Sequence, residues 1–412
     1  MRFSSSRPRH STRSVPAAER LTQTSGRQPA GFSPRVEPLE SRCMFSGYEV
    51  TALAGYDPAD AVNSNLSGWG MASMPNGSFA VANTFSNGTA TIYDRYGDVQ
   101  RTINVPAANA PPLGVSGPTG VVYNRTSNFV ITNPDTGKSA PALLIFNSID
   151  GAISGWNPRV DAANAITMLD TTQPDNGVAN TAVYTGLTMA RSHGRNVLYA
   201  ADILNNEVDM FVDDRHRDGL QAIGTFTNPD EVGVLAGGRG AWQVKAVNNK
   251  LYVTYANPLE RGHGGAVDVF DTAGNLLTPD RFAANDGAAG PLANPWGVAQ
   301  APKHFGDYGG ALLVGNVSGA INAFDPHTGD HLGALEHPDG TPISIPGLWE
   351  LEFASGSRGG DGSSQQLFFT AGPRFPGDFP NGKGLFGSIA VAQPRQGGHD
   401  EVEDDDDEDD DD

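Results

Sequence analysis

Short bursts of alternating apolar and polar positions recur along most of the chain, and they return in the same order six times. Each unit opens on a small or polar anchor, at Gly70, Gly120, Gly186, Gln243, Gly297 and Glu350. An apolar strand follows at once, as in Met71–Met74, Val121–Tyr123, Leu187–Met189, Val244–Val247, Val298–Ala301 and Leu351–Ala354. A turn leads to a second apolar strand ending in Asn or Asp, such as Phe79-Ala80-Val81-Ala82-Asn83 or Val197-Leu198-Tyr199-Ala200-Ala201-Asp202. A third strand runs into an Asp/Gly bend, as in Val267-Asp268-Val269-Phe270-Asp271, where the acid caps the turn. The anchors stand 50 to 66 residues apart, close to the longer propeller repeats. No such unit can cover both its own apolar faces, so the recurrence predicts a radial array of small sheets.

Six units of four strands close into an all-β, six-bladed β-propeller; seven blades with one degenerate is the competing count. The sixth unit supplies only three strands, the last at Leu385–Val391. The alternating segment Tyr48–Leu53 has the pattern to serve as its missing outer strand, which would hide the edges that an open array exposes. The second unit carries an insertion between Asn133 and Ala142 whose strand content the pattern leaves open. The expected organisation is a disordered basic N-terminal targeting or linker segment over 1–47, the propeller over 48–393 and a disordered acidic tail over 394–412.

Charge changes the picture only once it is divided. The net charge of −20 includes twelve carboxylates between Asp400 and Asp412, while residues 1–47 hold eight Arg and three Glu, so the central body sits near −13. An acidic body argues against nucleic acid as a partner, because phosphates need a basic footprint. No apolar run approaches the length of a spanning helix. One cysteine, Cys43, excludes an intrachain disulfide. Residues 1–47 lack the apolar core of a secretory signal.

Candidate chemistry follows from the geometry of a four-stranded meander, in which the start of the first strand and the end of the second share one face of the disc. Asn83, Asp202, Asn257 and Asn316 end second strands, and Glu350 is an anchor; a ring of such oxygens suits a hard cation such as Ca²⁺. The competing reading has Asn and Asp bonding their own turns. Trp69, Trp242, Trp296 and Trp349 precede anchors and fall on the apolar face, so they are expected to pack between blades, with glycine anchors allowing close approach. His327, His331 and His337 fall on turns marked by Gly329 and Pro338, a poor zinc set. No nucleophile elbow, phosphate loop or metalloprotease motif is present.

The motifs Asn294-Pro295-Trp296-Gly297-Val298-Ala299, Asp150–Asn157, Leu198–Asp202, and Phe369–Gly372 followed by Gly384–Ile389 together resemble a family of exported bacterial six-repeat proteins. Some members end in a PEP-CTERM sorting segment, and the blades are distantly similar to NHL repeats. Val36-Glu37-Pro38-Leu39-Glu40-Ser41-Arg42 resembles the LEPR-type N-terminal segment of planctomycete surface proteins. The resemblance implies a propeller exported to the cell surface or beyond it, and no reaction. The acidic run stands where the sorting segment would lie. Taken together these readings predict a monomeric, non-catalytic binding or scaffold module of the cell envelope, holding a protein or glycan ligand on one propeller face. The alternative is a divalent-metal-dependent hydrolase or lactonase at the channel mouth.

Overall fold

The computed structural model describes residues 47–55, 66–84, 88–173, 181–213, 219–258, 264–278, 290–354, 365–373 and 384–393. The basic N-terminal segment up to residue 46, with its LEPR-like phrase and Cys43, and the acidic tail from 394 lie outside them. All the described residues belong to one compact unit, Phe45–Asp412. Among them, no helix is long and apolar enough to cross a membrane.

Six four-stranded antiparallel sheets make up the fold. A strand β1 (Tyr48–Gly55) precedes blade 1, which holds β2 (Met71–Ser73), β3 (Phe79–Asn83), β4 (Thr89–Tyr93) and β5 (Val99–Asn104). Blade 2 runs β6 (Pro118–Tyr123), β9 (Leu144–Ser148), β10 (Ala152–Trp156) and β11 (Ile166–Asp170). Its insertion is a separate hairpin, β7 (Val130–Thr132) with β8 (Ser139–Pro141), so both of its strands are extra to the blade. Blade 3 is β12 (Tyr184–Ser192), β13 (Arg195–Asp202), β14 (Glu207–Asp213) and β15 (Leu220–Phe226). Blade 4 is β16 (Gly240–Val247), β17 (Lys250–Ala256), β18 (Ala266–Asp271) and β19 (Leu276–Thr278). Blade 5 is β20 (Pro295–Gln300), β21 (Leu312–Asn316), β22 (Ile321–Phe324) and β23 (His331–Ala334). Blade 6 takes β24 (Leu348–Phe353), β25 (Leu367–Ala371) and β26 (Leu385–Val391), and β1 completes it.

The closing strand pairs with β26 from Tyr48↔Val391 to Gly55↔Leu385, as the alternation predicts. Tyr48 is its fixed point. The side chain is 1% exposed, its ring lies 4.9 Å from that of Phe305, and its hydroxyl donates to the Phe305 carbonyl at 3.2 Å. The apolar layer between blades 5 and 6 gathers Tyr48, Phe305, Leu313, Leu351 and Phe369. On the other side of blade 6, Phe368 and Phe386 meet Phe79 and Tyr93 of blade 1, with the Phe79 and Phe368 ring centres 4.1 Å apart. Two buried layers therefore lock the composite blade from both sides.

Innermost strands touch in an unbroken ring: β2 with β6, β6 with β12, β12 with β16, β16 with β20, β20 with β24, and β24 with β2. The anchors explain how they come so near the axis. A methyl on Gly297 would fall 2.4 Å from the Trp349 carbonyl oxygen, and one on Gly70 would fall 2.4 Å from that of Thr119. Both neighbours are rigid backbone, so only glycine fits. The ladder also slips by a residue at the anchor in blades 2 to 6. In blade 1, Trp69 N–H donates to the Ala82 carbonyl, and Ala82 N–H donates to that of Gly70. Such bulges re-aim side chains, and here they recur at the residues that meet around the channel.

Candidate functional site: a blind channel mouth

One end of the channel is closed by indoles. Trp69 and Trp349 stack at 4.1 Å, and Trp242 and Trp296 meet Trp349 edge-on at 5.4 and 5.6 Å. The tryptophans pack between blades as their register predicts, Trp349 of blade 6 meeting Trp69 and Trp296 of its neighbours, blades 1 and 5, and also Trp242 of blade 4 across blade 5. Ile149, Val183, Ile203 and Val317 join the same buried cluster. Trp69 and Trp349 donate their N–H groups to the carbonyls of Pro373 and Gly372.

A polar bar crosses the channel next. Four anchors are glycines, so the two that are not, Gln243 and Glu350, have the axis to themselves. Gln243 Nε2 donates to Glu350 Oε2 at 3.2 Å, although blade 5 stands between their blades. Two residues along each strand, on the same face, come Lys245 and Glu352. Lys245 Nζ lies 3.3 Å from Glu350 Oε1 and 2.5 Å from Glu352 Oε2, and Ser73 Oγ donates to Glu352 Oε1 at 3.3 Å. Side-chain exposure rises outward, from 4% for Glu350 to 18% for Lys245 and 24% for Glu352.

Beyond the bar lies a cavity of about 350 Å³, whose walls come from the inner strands of blades 1, 2, 3, 4 and 6. Glu352, Lys245, Ser73 and Thr188 give it polar groups; Met71 and Phe353 are among its apolar ones. The cavity is blind, with the bar as its floor and the indoles behind.

The five residues proposed as cation ligands are not brought to one point. Asp202 Oδ1 accepts the N–H groups of Val183, Leu204 and Asn205, and its Oδ2 accepts from the Asn205 side chain. Asn316 Oδ1 accepts from Ala293 N–H at 2.8 Å, and Asn83 Oδ1 from Ser67 N–H at 3.3 Å. Asn257 donates to the Gly238 carbonyl. These four pin each second strand to the chain entering the same blade, and Asp202 also bonds its own turn through Leu204 and Asn205 N–H. Glu350 alone faces the channel, and a lysine and a glutamine hold it. Among the described residues, no group of three or more His, Cys, Asp or Glu could hold a metal ion. His331 lies in strand β23 rather than on a turn, its Nε2 3.1 Å from Asn322 Oδ1, and His327 is exposed.

Burial sets the protonation of three carboxyls. It pushes Glu350 up to about 7, against the pull of Lys245 and with the push of Glu352. It pushes Asp202 up to about 6, against the N–H groups that bond it. Asp209 rises to about 7 for the same reason, against the Tyr184 hydroxyl that donates to it at 2.6 Å. Burial also draws the Lys245 ammonium down, but Glu350 and Glu352 outweigh it and leave its pKa raised. Unfolded carboxyls titrate near 4. Between pH ~4 and the folded values, the native state keeps protons that the unfolded chain has released, so stability falls as pH rises. Turn acids such as Asp161 and Asp271, held low by the hydrogen bonds they accept, contribute above pH ~4 and lose that contribution below it. Thermal unfolding should therefore show greatest stability near pH 5, with a loss of about 2 kcal/mol or more by pH 7.5. A flat or rising profile from pH 5 to 7.5 would contradict these environments.

No family model matches the chain. It is similar to three uncharacterized proteins of Acanthamoeba polyphaga mimivirus. One is 28% identical over 333 residues, covering 77% of this chain and 76% of the relative. A second is 28% identical over 335 residues, covering 77% and 82%, and the third is 28% identical over 250 residues, covering 58% and 43%. These relatives are viral, and they lend no support to the expected bacterial family. Among solved structures, the WD40 β-propeller domain of Doa1 aligns over 82% of this chain and 96% of that one, with 9% identity and a TM-score of 0.42.

Proposed function

We propose that this propeller is a non-catalytic binding module that holds its ligand in the blind mouth, and that it works as an exported component of the cell envelope. The observation that carries the binding reading is the floor of the cavity. Its charged groups are tied to one another, with Lys245 between Glu350 and Glu352, and Glu352 also bonded to Ser73. Such a floor orients a ligand: the one hydroxyl set beside a carboxylate, Ser73 on Glu352, meets a base already held by Lys245, and among the described residues no group of three or more His, Cys, Asp or Glu could hold a Lewis acid. Of the five residues that a metal-dependent hydrolase would draw on, Asn83, Asp202 and Asn316 have a side-chain oxygen bonded within their own blades, and Asn257 is held there through its amide nitrogen. The envelope assignment rests on the motif resemblance of residues 48–393.

The test is to incubate the full chain with a panel of aryl esters and lactones, with and without Ca²⁺ or Zn²⁺. Rates equal to those of the Glu350→Gln variant, with or without cation, are expected. Cation-dependent turnover that Glu350→Gln abolishes would overturn the reading.

A further inference from the structure

We propose that the blind mouth is a sugar site that accepts one neutral pyranose ring, free or at the end of a glycan. This rests on the binding-module reading and names its ligand. Size is the first argument. Small-molecule sites span roughly 300–1,000 Å³, and this cavity of about 350 Å³ lies at the lower limit, room for one ring and little more.

Charge is the second. Two cations and two anions bear on the cavity: Lys245 and Arg125 in its walls, Glu352 beside them, and Glu350 in the floor. They balance. An anion meets a lysine already paired with two carboxylates, and the acidic body does not draw it in. A cation must compete with Lys245 for Glu352 and pass Arg125, whose guanidinium lies 5.6 Å from the Tyr123 ring centre. A neutral ligand meets neither obstacle.

Hydrogen-bonding capacity is the third. Glu352 accepts one bond on each oxygen, from Ser73 and Lys245, and keeps further lone pairs. Lys245 makes two bonds and has a third N–H. Thr188 Oγ1 accepts from Ala246 N–H at 3.1 Å and retains its own hydrogen to donate. Acceptors and donors thus stand side by side in one small space, as vicinal hydroxyls require, since each hydroxyl both gives and takes. The apolar walls, Met71, Leu187, Met189 and Phe353, suit the C–H face of a pyranose.

Met71 and Met189 supply the readout. The full chain carrying ¹³C-methyl methionine is titrated with methyl glucoside, galactoside and mannoside, with N-acetylglucosamine, and with a tetrasaccharide of each sugar that binds. At least one sugar should move both methyl signals saturably with a Kd near or below about 1 mM. A tetrasaccharide at least as tight assigns the site to glycan ends, and a weaker one assigns it to free sugars; either supports the proposal. Glu352→Gln should weaken binding about tenfold, a loss of about 1.4 kcal/mol. Thr188→Val, a change of one hydroxyl to methyl, should weaken it as well, and it serves if Glu352→Gln fails to fold. Sugars that leave both methyls unmoved overturn the proposal, as does binding that neither variant weakens. Glutamate or butylamine binding there as tightly also overturns it, while leaving the binding-module reading intact. Cation-dependent ester turnover would sink both.

Discussion

Replacing Lys245 with methionine should cost about 3–5 kcal/mol at pH 7.5, the range found when one partner of a buried ion pair is removed. The stem of the side chain is kept, so the loss is of charge. Glu350 and Glu352 then face one another across the bar without a cation, and Glu350 has almost no access to water. Protonation is its only relief. Since burial already holds Glu350 up at about 7, acidification to pH 5 should recover much of the loss, because a neutral Glu350 no longer needs the ammonium. The double variant Lys245→Met/Glu350→Gln should recover most of it at every pH, since the amide can still accept the Gln243 N–H at the position of Oε2. Denaturant unfolding of both variants at the two pH values checks this. A loss under about 1 kcal/mol at pH 7.5, typical of an exposed pair, would show that the bar is not buried as described.

Deleting Tyr48–Gly55 should leave no soluble native protein. That strand covers the outer edge of β26 from Leu385 to Val391, and without it the edge offers unpaired N–H and C=O groups to any other chain. It also carries Tyr48 into the layer between blades 5 and 6. The single change Tyr48→Ala separates packing from pairing and should cost about 3–5 kcal/mol, as for other large buried aromatics. Tyr48→Phe should cost about 1 kcal/mol, the worth of a hydrogen bond. The hydroxyl both donates to Phe305 and accepts from Tyr308 N–H, so its loss strands two backbone groups. Aggregation on gel filtration and equilibrium unfolding of the point variants measure these effects. A truncated chain that runs as native protein with unchanged Tm would refute the role given to β1.

Much of this architecture is legible in the residues, because both of its determinants are local. Period-2 alternation marks the strands, and the recurring anchor fixes the blade count. The closing partner is identified by subtraction, since one unit lacks a strand and Tyr48–Leu53 is left over. The site is less legible. Asn83, Asp202, Asn257 and Asn316 look alike whether they face an ion or a turn, because the groups that bond them, such as Val183 N–H for Asp202, lie some twenty residues away and are reached only through sheet register. The bar left a trace that the cation reading passes over. Gln243 and Glu350 are the two anchors that are not glycine, and Lys245 and Glu352 stand two positions beyond them, opposite charges breaking otherwise apolar strands. Alternation places all four on the channel side. It cannot show that blades 4 and 6 reach each other across blade 5, which depends on how closely the inner strands approach the axis.

The closed wheel is tested most directly by a covalent link across its seam. Glu49 and Ala390 are register partners in β1 and β26. With Cys43 replaced by serine, cysteines at these two positions should form an intramolecular disulfide on mild oxidation, with the monomer's gel mobility shifted and its Tm raised by the closed loop. Free thiols, or cross-links only between chains, would mean that the N-terminal strand does not complete the sixth blade.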